Sequence, residues 1–179
     1  GFLDDLVQAH ARVERLSRLL EHQLQLAMNL GGAHGALAAH QNAVELDPLS
    51  AIVNTDLGRA LVLIGRFDEA ADRFRKANEI DPEMPMPYRQ AGVLDAYARN
   101  RFADAVPLLQ RAAALDPDNP LLEFFRARLY FDLGDDVAAT RVIEAARKRW
   151  PDHAAVLMVS AEMHMYRGEW DAALKDTQR

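Results

Sequence analysis

The 179-residue sequence contains no cysteine. A chain without cysteine forms no disulfide, no thiolate metal site and no cysteine nucleophile, although this absence does not distinguish the cytoplasm from the periplasm. The sequence also lacks any apolar run approaching the ~20 residues of a membrane-spanning helix, because charged side chains interrupt each run. We therefore expect no insertion into a membrane, and of the two compartments we favour the cytoplasm.

Positive charge is scarce as well. Lys and Arg number 21 against 27 Asp and Glu, and the net charge is −6 at pH 7. Such a chain has no overall positive field with which to hold a phosphate backbone, so we do not expect a nucleic-acid partner. Half of the residues are hydrophobic and 27% are charged, which is typical of a folded protein and not of a disordered one.

The dipeptide Asp-Pro recurs along the chain in the phrases ELDPLS, EIDPEM and ALDPDN. Its prolines, Pro48, Pro82 and Pro117, are followed by Pro151, and the successive intervals are 34, 35 and 34 residues. A period of this length is typical of a repeat protein, in which each unit is a small supersecondary element that buries its apolar face against its neighbours.

Each period is predicted to form two helices. In the clearest period, Leu57, Leu61 and Ile64 follow the three- and four-residue spacing of an amphipathic helix, and a glycine ends it. A second helix is predicted over 68–79, and Pro82 ends it because proline lacks an N–H donor and disfavours helical geometry in the preceding residue. No alternating strand pattern occurs, so each period reads as helix, tight turn, helix, turn.

Small residues recur where the two helices of each pair are predicted to cross. A larger side chain at such a crossing would push the helices apart, at a typical cost of about 1–3 kcal/mol. The small residues are Gly58 with Ala70, Gly92 with Ala105, and Ala127 with Ala139.

These features resemble the tetratricopeptide repeat of bacterial proteins, whose pattern is W-x2-L-G-x2-Y, then A-x3-F, then P. The best-matching copy has Asn54, Leu57, Gly58, Leu61, Ala70, Phe74 and Pro82. The next copy has one additional residue between Gly92 and Asn100, which predicts a bulge or a longer turn. The resemblance implies an all-α fold, a right-handed α-solenoid of helix-turn-helix hairpins with five repeats, the last incomplete.

The expected organisation is an N-terminal helical extension followed by the solenoid. The extension is assigned to 1–16 and the solenoid to 17–179, with repeats at 17–50, 51–84, 85–119, 120–153 and 154–179. Residues 2–30 contain neither glycine nor proline and carry a partial heptad stripe, so this helix either caps the first hairpin or forms a coiled-coil contact between two copies. Because the last repeat stops inside its second helix, we expect the chain to be a fragment of a longer polypeptide.

No motif for catalysis or cofactor binding is found. The six histidines form neither H-E-x-x-H nor a close pair with carboxylates at metal-ligand spacing. The glycines of LGGAHGA at 30–36 lack the G-K-[ST] of a phosphate-binding loop, and no Ser-His-Asp arrangement stands out. We therefore predict that the chain is not an enzyme and has no cofactor or metal.

A stripe of side chains on the first helix of each pair is the predicted partner-binding site. In the tetratricopeptide repeat family these helices line the concave face on which partners usually dock, so the resemblance implies a site there. The stripe contains Ile52, Thr55, Arg59 and Val62; Met86, Arg89, Val93 and Ala96; Leu121, Phe124, Arg128 and Phe131; and Ala155, Met158, Glu162 and Met165. From it we select as partner-binding residues Arg59, Arg89, Phe124, Arg128, Phe131 and Met158.

The side-chain types of the stripe suggest the chemistry of the partner. Arginines form charge-assisted, often bidentate contacts with carboxylates, and aromatic and Met side chains supply adaptable apolar contact. The expected partner is a protein or peptide, acidic and with apolar anchors. The alternative is that these side chains pack against the next repeat or that the arginines pair with carboxylates of the chain itself.

The predicted function is a non-catalytic protein-interaction scaffold. The alternative is a regulatory or substrate-docking segment of a larger enzyme or transcription regulator whose active domain lies elsewhere. Self-association is a third possibility, through the N-terminal helix or through the open C-terminal end, where Trp170, Ala173 and Leu174 would lack a covering helix.

Overall fold

The computed structural model describes residues 32–178, which form nine α-helices and no strand. The helices are α1 (Gly32–Leu46), α2 (Ala51–Leu63), α3 (Phe67–Ile80), α4 (Pro85–Tyr97), α5 (Phe102–Leu115), α6 (Pro120–Asp132), α7 (Asp136–Arg149), α8 (Ala154–Tyr166) and α9 (Trp170–Thr177). From α2 onward they pair as four consecutive antiparallel hairpins, each packed on the next. The predicted all-α helical repeat fold is confirmed.

Short turns join the two helices of each hairpin. Three of these turns have three residues and contain a glycine in the left-handed region, which a residue without Cβ enters at little cost. These glycines are Gly65 (φ 76°), Gly134 (φ 74°) and Gly168 (φ 73°). The α4–α5 turn has four residues, and Asn100 (φ 53°) takes the left-handed position. The additional residue predicted in this repeat therefore lengthens the turn and does not form a helix bulge.

The predicted helix crossings are confirmed at the small residues. A Cβ built on Gly58 would lie 2.5 Å from Cε1 of Phe74, and one built on Gly92 would lie 2.8 Å from Cγ of Leu109. The alanines expected at the crossings are 0% exposed: Ala70, Ala105, Ala127 and Ala139. The two helices of a hairpin approach this closely because no larger side chain stands between them.

The Asp-Pro turns also hold neighbouring hairpins together. Arg111 on α5 donates a hydrogen bond from Nη2 to the carbonyl oxygen of Pro82 at 3.1 Å. In the next hairpin, Arg149 on α7 makes the equivalent bond from Nη1 to the carbonyl oxygen of Pro117 at 2.8 Å. The recurring proline therefore ends one second helix while its carbonyl oxygen accepts a hydrogen bond from the second helix of the following hairpin.

The apolar core runs along the stack of hairpins. One cluster joins Leu57, Phe74 and Leu94 from three consecutive helices, and another joins Ile143 to Val159 across the boundary between the third and fourth hairpins. The first helices also contact one another from hairpin to hairpin, α2 with α4, α4 with α6 and α6 with α8. This arrangement leaves only a narrow exposed strip on each first helix.

The sequence predicts a helical extension at the N-terminal end of the chain and an uncovered apolar surface at the C-terminal end. The predicted extension at 1–16 and the whole glycine-free stretch at 2–30 lie outside the described residues. At the other end Trp170 is 43% exposed, as expected for an uncovered surface, but Ala173 is only 5% exposed. The expectation for Ala173 is wrong because α8 packs closely against α9 and covers it. Self-association through either end remains a prediction.

Among the helices of residues 32–178, none combines the length and the apolar character needed to cross a bilayer.

Candidate functional site

The structure narrows the predicted stripe. Thr55, Ala96 and Ala155 are buried, so including them in a binding surface is wrong. Thr55 donates its hydroxyl hydrogen to the carbonyl oxygen of Ala51 at 2.7 Å, which satisfies it within its own helix. The remaining residues are here called the first-helix face: Ile52, Arg59, Val62, Met86, Arg89, Val93, Leu121, Phe124, Arg128, Phe131, Met158, Glu162 and Met165.

Apolar side chains form one edge of the first-helix face. Ile52 is 61% exposed, Met86 38% and Leu121 42%, and they occupy equivalent positions near the start of α2, α4 and α6. Met158 on α8 is 38% exposed. Because the same position is open in three consecutive hairpins, the exposed apolar residues are aligned along the stack.

Arg59 is an exposed cation of the first-helix face and lies on α2. Its Nη1 lies 3.2 Å from Oδ1 of Asp56 one helical turn away, and 56% of its side chain is exposed. Exposed pairs of this kind contribute about 0.2–1 kcal/mol at most and exchange readily with other partners. Arg59 is therefore available to a ligand at little cost.

Arg89 differs from Arg59 in its exposure and in its contacts. It is half-buried, and within residues 32–178 neither an ion-pair nor a hydrogen-bond partner is found for it. Burial lowers the pKa of its guanidinium, the positive charge of Arg59 lowers it further, and only Asp116 acts in the opposite direction. Arg59 and Arg89 therefore repel one another, and of the two only Arg59 has an ion-pair partner within residues 32–178.

Arg128 already has anionic partners. Its Nη1 lies 2.7 Å from Oε2 of Glu162 on α8, and its Nε lies 3.4 Å from Oδ1 of Asp132 on its own helix. Burial alone would lower the pKa of Arg128, but the charges of Glu162 and Asp132 outweigh burial, so its pKa is raised. Two carboxylates therefore surround one guanidinium, and this part of the face has an excess of negative charge.

Two neighbouring titratable groups have raised pKa values, chiefly because they are partly buried. Burial raises the pKa of Glu162, and Arg128 offsets only part of this effect. Burial also raises the pKa of the Tyr97 hydroxyl on α4, and the charge of Asp132 raises it further. The charges of Asp132 and Glu162 thus act on a hydroxyl of the neighbouring hairpin as well as on Arg128.

The raised pKa of Glu162 leads to a stability prediction. A carboxyl group whose pKa is higher in the folded than in the unfolded chain favours folding below its unfolded pKa, and this contribution is lost as pH rises through the folded value. At pH 7 the ionised Glu162 should therefore cost stability despite its ion pair. We expect Glu162→Gln to match the wild-type Tm at pH 4 and to exceed it slightly at pH 7.

Thermal unfolding followed by circular dichroism at both pH values checks this expectation. A Glu162→Gln chain that is less stable than the wild type at pH 7, and more so than at pH 4, would show that the ion pair stabilises the fold and would contradict it.

The two selected phenylalanines are partly engaged in packing. The rings of Phe131 on α6 and Tyr166 on α8 have centroids 4.6 Å apart, and Phe124 contacts Phe125 edge-on at 5.3 Å. Phe124 also packs against a buried cluster that includes Ala127 and Val159. Both rings are partly exposed. They therefore contribute apolar edges to the face and do not project freely from it.

One buried polar cluster was not predicted from the sequence. Ser160 donates to Oδ2 of Asp176 at 2.7 Å, and Nη1 of Arg147 donates to the same oxygen at 2.6 Å. His164 Nε2 lies 3.7 Å from this carboxylate. Ser160 is 0% exposed and its hydroxyl is directed to the carboxylate, not to the imidazole, so the cluster is not a nucleophilic triad. It ties α7, α8 and α9 together.

Comparisons with known proteins identify similar chains. Two family models described as "Tetratricopeptide repeat" match residues 96–163 and 23–85. The chain is 30% identical over 97 residues to small glutamine-rich tetratricopeptide repeat-containing protein 2 of Mycosarcoma maydis, covering 54% of this chain and 27% of that protein. It is also 30% identical over 157 residues to cellulose synthase 2 operon protein C of Komagataeibacter xylinus, covering 87% of this chain and 12% of that protein.

A solved structure supports the same architecture. The crystal structure of YrrB, described as a TPR protein with an unusual peptide-binding site, superposes with a TM-score of 0.64 and 24% sequence identity. The superposition covers 86% of this chain and 78% of that one. At this identity the likeness shows the fold alone. The chain spans between 12% and 27% of the two curated relatives, so it corresponds to one segment of each.

Proposed function

Since this chain belongs to the tetratricopeptide repeat family, we propose that it is a non-catalytic protein-interaction module that holds a peptide segment of a partner along its first-helix face. The observation that supports this most strongly is Arg89, a half-buried cation that forms neither an ion pair nor a hydrogen bond with residues 32–178 and is influenced by Asp116 only through its charge. Removing a charge from water without a partner is costly. A carboxylate of a bound segment would offset this cost.

The apolar edge of the face supplies the other half of the proposed contact. Each helix that carries an arginine of the face also carries an exposed apolar residue near its start, namely Ile52, Met86 or Leu121. Met158 extends this apolar surface to α8. Interfaces combine such apolar anchors with a few charge-assisted hydrogen bonds. The proposed segment is therefore acidic with apolar anchors, and it contacts Arg59, Arg89 and Met158 directly.

The remaining selected residues contribute through their surroundings. Phe124 and Phe131 offer ring edges between α6 and α8, and Arg128 contacts the segment together with its two carboxylates. YrrB, which shares the fold, is described as having a peptide-binding site, and this description is compatible with a peptide ligand here.

A second candidate function is substrate docking within a larger protein. It is favoured by the small share, 12%, that the chain represents of cellulose synthase 2 operon protein C. In that case the first-helix face would bind a segment that another part of the same polypeptide acts upon.

Site-specific photo-cross-linking tests the proposed face. We expect benzoylphenylalanine in place of Met86, on α4, to cross-link one partner segment that mass spectrometry identifies. The matched control places the same group at Val137, which is 70% exposed on α7 and is away from the face. A synthetic copy of the identified segment should then bind the unlabelled chain in calorimetry. Equal cross-linking from both positions, or no binding of the synthetic segment, would contradict the proposal.

A further inference from the structure

The first-helix face is divided by charge along the stack of hairpins. Arg59 and Arg89 lie on α2 and α4, whereas Asp132 and Glu162 outnumber Arg128 on α6 and α8. We propose that the partner segment carries charges of both signs in a fixed order: acidic residues where it crosses α2 and α4, and basic residues where it crosses α6 and α8. This inference rests on the proposed function and adds the charge pattern of the ligand.

At the α2–α4 end, the side chains favour an anion. The carboxylates near the two arginines are Asp56, which forms an exposed pair with Arg59, and Asp116, which acts on Arg89 only through its charge. A carboxylate between the guanidinium groups would receive charge-assisted hydrogen bonds from both. It would also remove the repulsion that each arginine exerts on the other.

At the α6–α8 end, the side chains favour a cation. Arg128 satisfies one oxygen of Glu162 at 2.7 Å and approaches Asp132 at 3.4 Å. One guanidinium between two carboxylates leaves one negative charge uncompensated. A Lys or Arg of the partner segment would compensate it, and because these side chains are only partly exposed, the contact would be stronger than one at a fully exposed site.

The spacing of the helices gives the spacing of the ligand's charges. Packed helices lie about 8–10 Å apart, so the α2–α4 and α6–α8 ends are separated by about 16–20 Å. An extended chain advances about 3.3 Å per residue, so the acidic and basic groups should lie about five or six residues apart.

The division by charge also sets the direction of the bound segment. A segment that lies the opposite way would bring its basic residues to Arg59 and Arg89 and its acidic residues to Asp132 and Glu162. Like charges in contact disfavour this alternative. The face thus selects the order of the charges in addition to their number.

Four labelled synthetic peptides of equal length test the inference by fluorescence anisotropy. All carry the same leucines and differ only in their charged positions: one has acidic and basic groups six residues apart, one has acidic groups only, one has basic groups only, and one has glutamine throughout. We expect the peptide with both signs to bind about tenfold more tightly than either single-sign peptide.

Variants of the chain assign each charge to its end of the face. Arg89→Gln should weaken binding of the two peptides that carry acidic groups and leave the basic-only peptide unchanged. Asp132→Asn with Glu162→Gln should weaken only the two peptides that carry basic groups. A nitroxide at the acidic end of the two-sign peptide should broaden amide resonances of α2 and α4, and broadening of α6 and α8 instead would overturn the proposed order.

Equal affinity of all four peptides would overturn the charge order while leaving the first-helix face as a binding site. Failure of all four peptides to bind would also overturn the proposed charge order. In that case the cross-link from Met86 decides separately whether the face binds a partner, so failure of the inference is distinguishable from failure of the proposed function.

Discussion

The double substitution Arg59→Glu with Arg89→Glu is expected to weaken binding of the partner segment by about a hundredfold or more, because it replaces both cations of the α2–α4 end with anions. The acidic residues of the segment would then meet two carboxylates in place of two guanidinium groups. Calorimetric titration with the segment identified by cross-linking measures the effect, and far-UV circular dichroism should show unchanged helical content.

The matched control reverses two arginines outside the first-helix face. Arg75 lies on α3 with 67% of its side chain exposed, and Arg141 is exposed on α7. Arg75→Glu with Arg141→Glu changes the net charge by the same amount, so it reproduces any effect of overall charge. We expect this control to alter affinity by less than about threefold, since distant exposed charges are screened. Unchanged binding in the Arg59 and Arg89 variant would place the site elsewhere on the chain.

Replacing Gly58 by leucine is expected to destabilise the fold by about 3 kcal/mol, which corresponds to a fall in Tm of about 6–12 °C for a chain of this size. Already the first carbon of the new side chain would lie 2.5 Å from Cε1 of Phe74. Phe74 is only 1% exposed and its ring is packed in the apolar cluster that includes Leu57 and Leu61. The crossing of α2 and α3 must therefore open, which also disturbs the apolar cluster shared with Leu94 on α4.

Comparing the thermal unfolding of Gly58→Leu with that of Gly35→Leu separates the effect of crowding from the effect of replacing a glycine. Gly35 is also in a helix, α1, but a Cβ built on it has no atom of the described part of the chain within 4 Å. Leucine has a higher helix propensity than glycine, so Gly35→Leu should keep or raise the Tm. If the two variants have the same Tm, the close contact at Gly58 does not limit the helix crossing.

Some of the site could not be read from spacing alone. The helical period identifies which residues share a side of a helix, but it does not show how many sides are covered by neighbours. Thr55 and Ala96 share the stripe with Arg59 and Arg89, yet both are buried because each first helix also contacts the first helix of the next hairpin. The pairing of Arg128 with Glu162 joins residues 34 positions apart, so no local pattern reveals it.

The cluster of Ser160, Arg147 and Asp176 could not be predicted from the sequence either, because no local pattern connects its members. Its members lie on three different helices, and each residue type is common on helix surfaces. Only the packing of α7, α8 and α9 shows that Ser160 and Asp176 are buried and share hydrogen bonds.

The amino-acid sequence by itself determined the repeat, the hairpins and their crossings. These depend on backbone and short-range steric properties, namely the missing N–H of Pro82, the missing Cβ of Gly58 and the spacing of apolar residues along one helix. The tertiary structure alone decided which side chains of the stripe stay exposed and how their charges are compensated. Electrostatic pairing and burial depend on distances between helices, and those distances are set only when the hairpins stack.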